Sequence, residues 1–97
     1  MPELESSVER YFRARVRQHG GMTEKFIPAR AGIPDRVVLL HGGRVFFVEL
    51  KADGGRLRDV QKLWHERAAE RGTEVVVLAG RREIDAWLLE VTADDAA

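Results

Sequence analysis

The sequence predicts an α/β fold, a small mixed sheet flanked by helices, and three observations carry that prediction. Two apolar runs, Arg36–Leu40 and Arg44–Leu50, flank Gly42-Gly43 and read as a β-hairpin. Apolar residues at helical spacing stand before and after the hairpin. A third apolar run, Glu74–Ala79, follows the second helical stretch. It therefore returns through a crossover and joins the sheet parallel to the strand ending at Lys51, with right-handed chirality.

Each element has a local cause. Leu4, Val8, Tyr11, Phe12 and Val16 recur at helical spacing between Glu3 and Gln18, with Arg10, Arg13, Arg15 and Arg17 between them. His19-Gly20-Gly21 ends this first helix, because glycine suits the left-handed cap. Thr23–Pro28 reads as a short strand held at an edge by Pro28, and Ala29–Pro34 as a loop broken by Gly32 and Pro34. Both hairpin strands are apolar at nearly every position, which predicts helices covering both faces. After a polar connection, Ala52–Arg56, the second helix spans Leu57–Arg71, with Leu57, Val60, Trp64 and Ala68 on one face and Gly72 at its end. Glu74–Ala79 reads as a buried strand. Arg82–Leu89 is a third helix, with Ile84, Trp87 and Leu88 facing inward. Residues 91–97 read as a frayed acidic tail. The order is α-β-β-β-α-β-α.

The chain has 97 residues, 44% hydrophobic and 33% charged, which bounds it to one globular domain over 1–97. A core of that size is near the lower limit of comfortable stability, and a homo-oligomer would bury more surface. There are no cysteines, which excludes a disulfide scaffold, a thiolate zinc site and a cysteine nucleophile. No basic stretch followed by an apolar run opens the chain, and no apolar run is long enough to span a bilayer. A cytoplasmic protein is the expectation. Sixteen basic and sixteen acidic residues cancel. Zero net charge argues against coating DNA by charge alone, but a site built on carboxylates adds negative charge and binding depends on local patches.

The chemistry gathers in Gly32–Lys51. Asp35 follows a proline, and the hairpin brings it towards Glu49 and Lys51 at the end of the second strand. Magnesium takes carboxylate and water oxygens, and one or two carboxylates plus a substrate phosphate hold it. Such a metal polarises a phosphoryl oxygen and lowers the pKa of a bound water. Lys51, two residues beyond Glu49 and on the same face, is placed to orient that water or to stabilise charge on the phosphate. Two carboxylates and a lysine are thus what a metal-dependent phosphodiesterase needs. The arrangement has a geometric condition. A two-residue turn, Gly42-Gly43 alone, would set Asp35 opposite Leu50 and away from Glu49. A three-residue turn, His41-Gly42-Gly43, sets Asp35 opposite Glu49 with all three side chains on one face. The three-residue turn or a nearby bulge is predicted.

The whole chain resembles the PD-(D/E)XK nuclease superfamily, and within it the virus-type replication-repair nuclease (VRR-NUC) domains. The residues carrying the likeness are Glu9 in the first helix, Gly20-Gly21, Lys25-Phe26, Gly32-Ile33-Pro34-Asp35-Arg36, Val48-Glu49-Leu50-Lys51 and Gln61. The resemblance implies a restriction-endonuclease-like αβββαβ core with an added C-terminal helix. It implies a Mg2+- or Mn2+-dependent DNA endonuclease, with Asp35, Glu49 and the backbone carbonyl of Leu50 on the metal and Lys51 in a positioning role. The family's first-helix glutamate maps onto Glu9, which would bind metal through water or orient Lys51, with Glu5 one turn earlier as the fallback. Gln61 matches a polar residue facing the site; without the resemblance it reads equally as a helix-stabilising glutamine. Stand-alone forms in the family look like homodimers that cut branched DNA, including Holliday junctions. A bacterial cell or a phage-infected host is the implied setting.

Among the basic residues, Lys25, Arg30 and Arg36 flank the Asp35 loop and are candidate phosphate contacts. Arg56, Arg58 and Lys62 surround the start of the second helix, where backbone N–H groups also favour anions. His19, His41 and His65 show no metal-ligand spacing, and His19 at a helix C-terminus and His41 in a turn read as structural or solvent-facing. Two other classes of protein compete with the nuclease reading. One is a weakly active DNA-binding or structural subunit of the same fold, and the other is an interaction protein unrelated to nucleic acid.

Overall fold

The computed structural model of the chain describes residues 3–93. The periodicities resolve into α1 (Glu5–Gln18), β1 (Met22–Lys25), β2 (Arg36–Leu40), β3 (Arg44–Lys51), α2 (Asp59–Glu70), β4 (Val75–Ala79) and α3 (Arg81–Val91). The strands form one sheet in the order β1-β2-β3-β4. The loop over 26–35 and the turn over 41–43 make the first two junctions antiparallel, and the crossover through α2 makes β3 and β4 parallel, as predicted. Three helices on a small mixed sheet give the α/β nuclease architecture that the resemblance implies.

Strand alternation sorts side chains onto two faces. Val38, Leu40, Val48, Leu50 and Leu78 point to one face, where they meet Val8, Phe12 and Val16 of α1 and Ile84 and Leu88 of α3. Trp87 closes this core edge-on to Phe46, at 5.2 Å between ring centroids, and lies 6.3 Å from Phe12. Each fully buried aliphatic or aromatic side chain here contributes about 1.5–3 kcal/mol.

The opposite face is covered only in part, which corrects the expectation of two covered faces. Phe47 and Glu49 point to it, and α2 meets them through Trp64, 6.4 Å from Phe47, and His65. Towards the hairpin tip no helix among the described residues covers this face, and Val45 is 58% exposed. β4 is an edge strand with Val77 exposed, and so is not buried along its length.

Other boundaries also move. β1 ends at Lys25 and not at Pro28, although the Phe26 N–H still donates to the Asp35 carbonyl at 2.8 Å. α2 starts at Asp59, and Val60 is 41% exposed. Its buried residues are Gln61 and Ala68, so the inward face is rotated from the one the apolar residues suggest. The tail expected to fray at 91–97 is packed where it begins. Val91 lies against the core, and the Thr92 hydroxyl donates to the Leu88 carbonyl at 2.6 Å. That uses the hydroxyl's one proton, so Nδ1 of His19, 3.1 Å away, is the donor in the second contact. Residues 94–97 lie outside the described residues.

Candidate active site

The turn decides the site. Leu40 pairs with Arg44 and Arg36 with Val48, so His41, Gly42 and Gly43 make the three-residue connection that the carboxylates require. Continued by one position beyond β2, the register sets Asp35 opposite Glu49. Gly42 and Gly43 both have positive φ, which lets the chain reverse in so short a space. A second glycine fixes the Asp35 loop. Gly32 has φ +96°, and a Cβ there would meet the Val60 carbonyl oxygen at 2.6 Å. The loop thus lies directly on the backbone of α2, and buried Pro34 stiffens it just before Asp35.

These elements line a cleft of about 270 Å3. Glu5, Ser6 and Glu9 come from α1, Lys25 from β1, Asp35 and Arg36 from the start of β2, and Glu49 and Leu50 from β3. A larger hollow of about 410 Å3 lies between Phe47, Trp64 and Ala68, rimmed by Arg30, Arg67 and Arg71. No carboxylate lines that hollow.

Glu49 is the most perturbed group in the cleft. It is 7% exposed, and burial pushes its carboxyl up to about 7; Lys51 opposes this, Asp35 and Glu5 push further up, and Arg58 opposes. Its Oε1 is buried without a hydrogen-bond partner. The positive charge of Lys51 and Arg58 does not offset that burial. Glu9 is the contrast. Burial disfavours its charge, but hydrogen bonds from Arg36 and Lys25 outweigh burial and hold its carboxyl below the ordinary value. Arg36 Nη2 lies 2.7 Å and Lys25 Nζ 3.1 Å from the same Glu9 oxygen, and Lys25 Nζ lies 4.0 Å from Asp35.

The donor set suits a hard divalent cation. Asp35 and Glu49 bring carboxylates to the cleft, and Leu50 lines it beside them. Among the described residues no group of three or more His, Cys, Asp or Glu side chains is arranged to hold a metal. Two carboxylates and a carbonyl match the sparse coordination of magnesium, which keeps waters and accepts substrate oxygens.

Residues 3–82 match the model of the VRR-NUC domain. The chain belongs to the VRR-NUC family. It is 41% identical over 75 residues to "Putative nuclease p44" of Acyrthosiphon pisum secondary endosymbiont phage 1, covering 76% of this chain and 81% of that protein. A solved VRR-NUC domain structure is 34% identical, with a TM-score of 0.75, over 84% of this chain and 90% of that one. The chain is thus a nuclease domain by family and by fold.

Within this VRR-NUC domain the predicted residues fall into three groups. Asp35, Glu49 and Leu50 share the cleft with Glu9 and Glu5. Lys51 lies at the end of β3 and acts electrostatically on Glu49. Gln61 is buried but does not line the cleft; its Oε1 accepts the Arg58 N–H at 2.9 Å and satisfies a donor at the start of α2. Two expectations are corrected. Glu9 pairs with Arg36 and Lys25, so it does not orient Lys51. Arg36 is not a phosphate contact. It is 3% exposed, and its guanidinium is taken up by Glu9 and by Thr23 Oγ1 at 3.1 Å. Arg30, Arg56, Arg58 and Lys62 remain exposed, as phosphate contacts must be. His65 was not singled out by metal-ligand spacing, yet it faces Glu49. The available signal was its position four residues after Gln61, on the same side of α2.

No helix among the described residues is long and apolar enough to cross a membrane.

Proposed function

We propose that the chain is a Mg2+- or Mn2+-dependent endodeoxyribonuclease that acts as a homodimer on branched DNA such as Holliday junctions, in a bacterial or phage-infected cytoplasm. The observation that carries this reading is the register that brings Asp35 opposite a buried, unpartnered Glu49 in an acidic cleft.

Asp35, Glu49 and the Leu50 carbonyl would hold the metal. When bound, it supplies a polarised phosphoryl oxygen and a more acidic water. Lys51, on the same face as Glu49, stabilises negative charge on the scissile phosphate or orients the water. Glu9, tied to Arg36 and Lys25, braces α1 against β1 and β2 at the rim. Glu5 lines the cleft and has no ion pair among the described residues, which makes it the acid better placed to hold a water there. Gln61 supports the site through the start of α2. Arg30, Arg56, Arg58 and Lys62, with Lys25 in the cleft, would guide the DNA backbone.

Dimerisation has a physical motive in the open apolar sheet face around Leu39 and Val45. A two-fold pair of sites suits symmetric cutting of two strands. The test is cleavage of labelled junction, flap and linear DNA with Mg2+, Mn2+ or chelator, with the oligomeric state measured by sedimentation. Metal-dependent cutting that favours junctions supports the reading. DNA binding with neither cutting nor metal uptake would replace it with a binding module of the same fold.

A further inference from the structure

We propose that His65 is a positioning residue for Glu49: its Nε2–H donates to Oε1 of the carboxylate and leaves the other oxygen to face the cleft. The inference rests on the reading of Glu49 as a metal ligand. Its observation is separate. Nε2 of His65 and Oε1 of Glu49 are both buried, neither has a hydrogen-bond partner, and they lie 3.9 Å apart. They are the only two such side-chain atoms among the described residues. Native proteins rarely bury unmatched polar atoms, and two facing each other from opposed elements are a donor and an acceptor about 1 Å short of contact. A small side-chain rotation closes that gap.

The surroundings fit this role. The imidazole side chain is 13% exposed and Glu49's is 9%, so water does not compete freely for either atom. α2 turns Gln61 and His65 towards the sheet, although Val60 and Leu63 are exposed on the same helix. Gln61 spends its oxygen on the helix start, which leaves His65 as the α2 side chain facing the carboxylate. Burial, then Lys51, disfavour the protonated ring. A neutral ring carries one N–H, and Nε2–H is the tautomer this contact requires. Carboxylate ligands are commonly held by such outer hydrogen bonds, and losing one costs about 10–100-fold in metal affinity or activity.

The experiment has two arms on the full chain. Calorimetry with Mn2+ compares the native chain, His65→Leu and His65→Gln, the glutamine amide standing where Nε2–H stands. Affinity is expected to fall about tenfold or more in His65→Leu and to recover most of that in His65→Gln. The metal-free arm measures unfolding midpoints of His65→Leu, Glu49→Gln and the double variant, where a contact appears as non-additive shifts. Native binding that His65→Leu leaves within about twofold, together with additive midpoints, overturns the inference and leaves the nuclease reading standing. A native chain that takes up no Mn2+ overturns the nuclease reading instead, and the metal-free arm then decides the contact alone.

Discussion

Arg36 and Glu9 close a 2.7 Å ion pair between β2 and α1 at the rim of the cleft. The arginine is almost wholly buried, so removing its partner strands a charge where water cannot solvate it. Glu9→Ala is therefore expected to cost about 3 kcal/mol, the low end for a broken buried pair because Glu9 keeps some contact with solvent. In a domain of this size that is a fall of about 12 °C or more in the thermal midpoint. Glu9→Gln keeps an acceptor for the guanidinium and should lose much less. An unchanged midpoint in Glu9→Ala would show that the pair has no structural weight.

Glu49 sets a pH dependence of the opposite sign to that of a salt-bridged carboxylate. Its carboxyl rises from an unperturbed 4.5 to about 7 in the fold. Between those values the folded chain binds more protons than the unfolded one, so stability falls as pH rises through the window. The group's full contribution is present below the unfolded value and is lost by the folded value, a swing of about 2–3 kcal/mol. Glu49→Gln should flatten this slope. Without metal its midpoint should exceed the native one at about pH 8 and match it near the unfolded pKa. Added Mn2+ should then stabilise the native chain and not the variant. Thermal melts across the range measure both effects, and a native slope identical to that of Glu49→Gln would refute the assignment.

The parts of this site that were legible in the sequence are those governed by a period. Side chains alternate every two residues along a strand, so an odd turn length alone decided whether Asp35 could meet Glu49, and the pairing of Leu40 with Arg44 meets that condition. The same rule bears on Arg36. Arg36 shares a face with Val38 and Leu40, which places it in the core-facing row, yet a basic residue beside a loop aspartate read as a phosphate ligand. α2 departs from its apolar pattern for the converse reason. Val60 is apolar but lies outside, because the helix end over the cleft turns polar Gln61 and His65 inward. Composition also misled at Thr92, where one hydroxyl bonded to Leu88 and His19 packs the start of a tail that looked too polar and small to order.

Gly32 should be the glycine that the site tolerates changing least. At φ +96° an alanine is strained, and its Cβ would stand 2.6 Å from the Val60 carbonyl oxygen, a backbone atom that cannot step aside. Gly32→Ala is expected to cost about 2 kcal/mol or more and to reduce cleavage by shifting the Asp35 loop. Gly43→Ala is the control. Its φ is +73° but nothing lies within 4 Å of the added carbon, so only the conformational cost applies. That cost is about 1–2 kcal/mol, with the Asp35–Glu49 register retained. Equal losses of activity in the two variants, measured well below both midpoints, would mean that contact with α2 does not position Asp35.

Arg56, Arg58 and Lys62 test the path of the DNA. All three are exposed around the start of α2, and Arg58 is close enough to act electrostatically on Glu49. If each neutralises one phosphate, binding affinity should fall with salt, and replacing all three by alanine should reduce the slope of log K against log salt by about 2.7 on duplex arms. Metal affinity should change little, since none of the three is a ligand. The loss should be nearly uniform across DNA sequences, because phosphate contacts carry no base information. A binding titration of junction DNA at several salt concentrations measures the slope. An unchanged slope would move the DNA path away from α2, towards the arginine rim formed by Arg30, Arg67 and Arg71 on the neighbouring hollow.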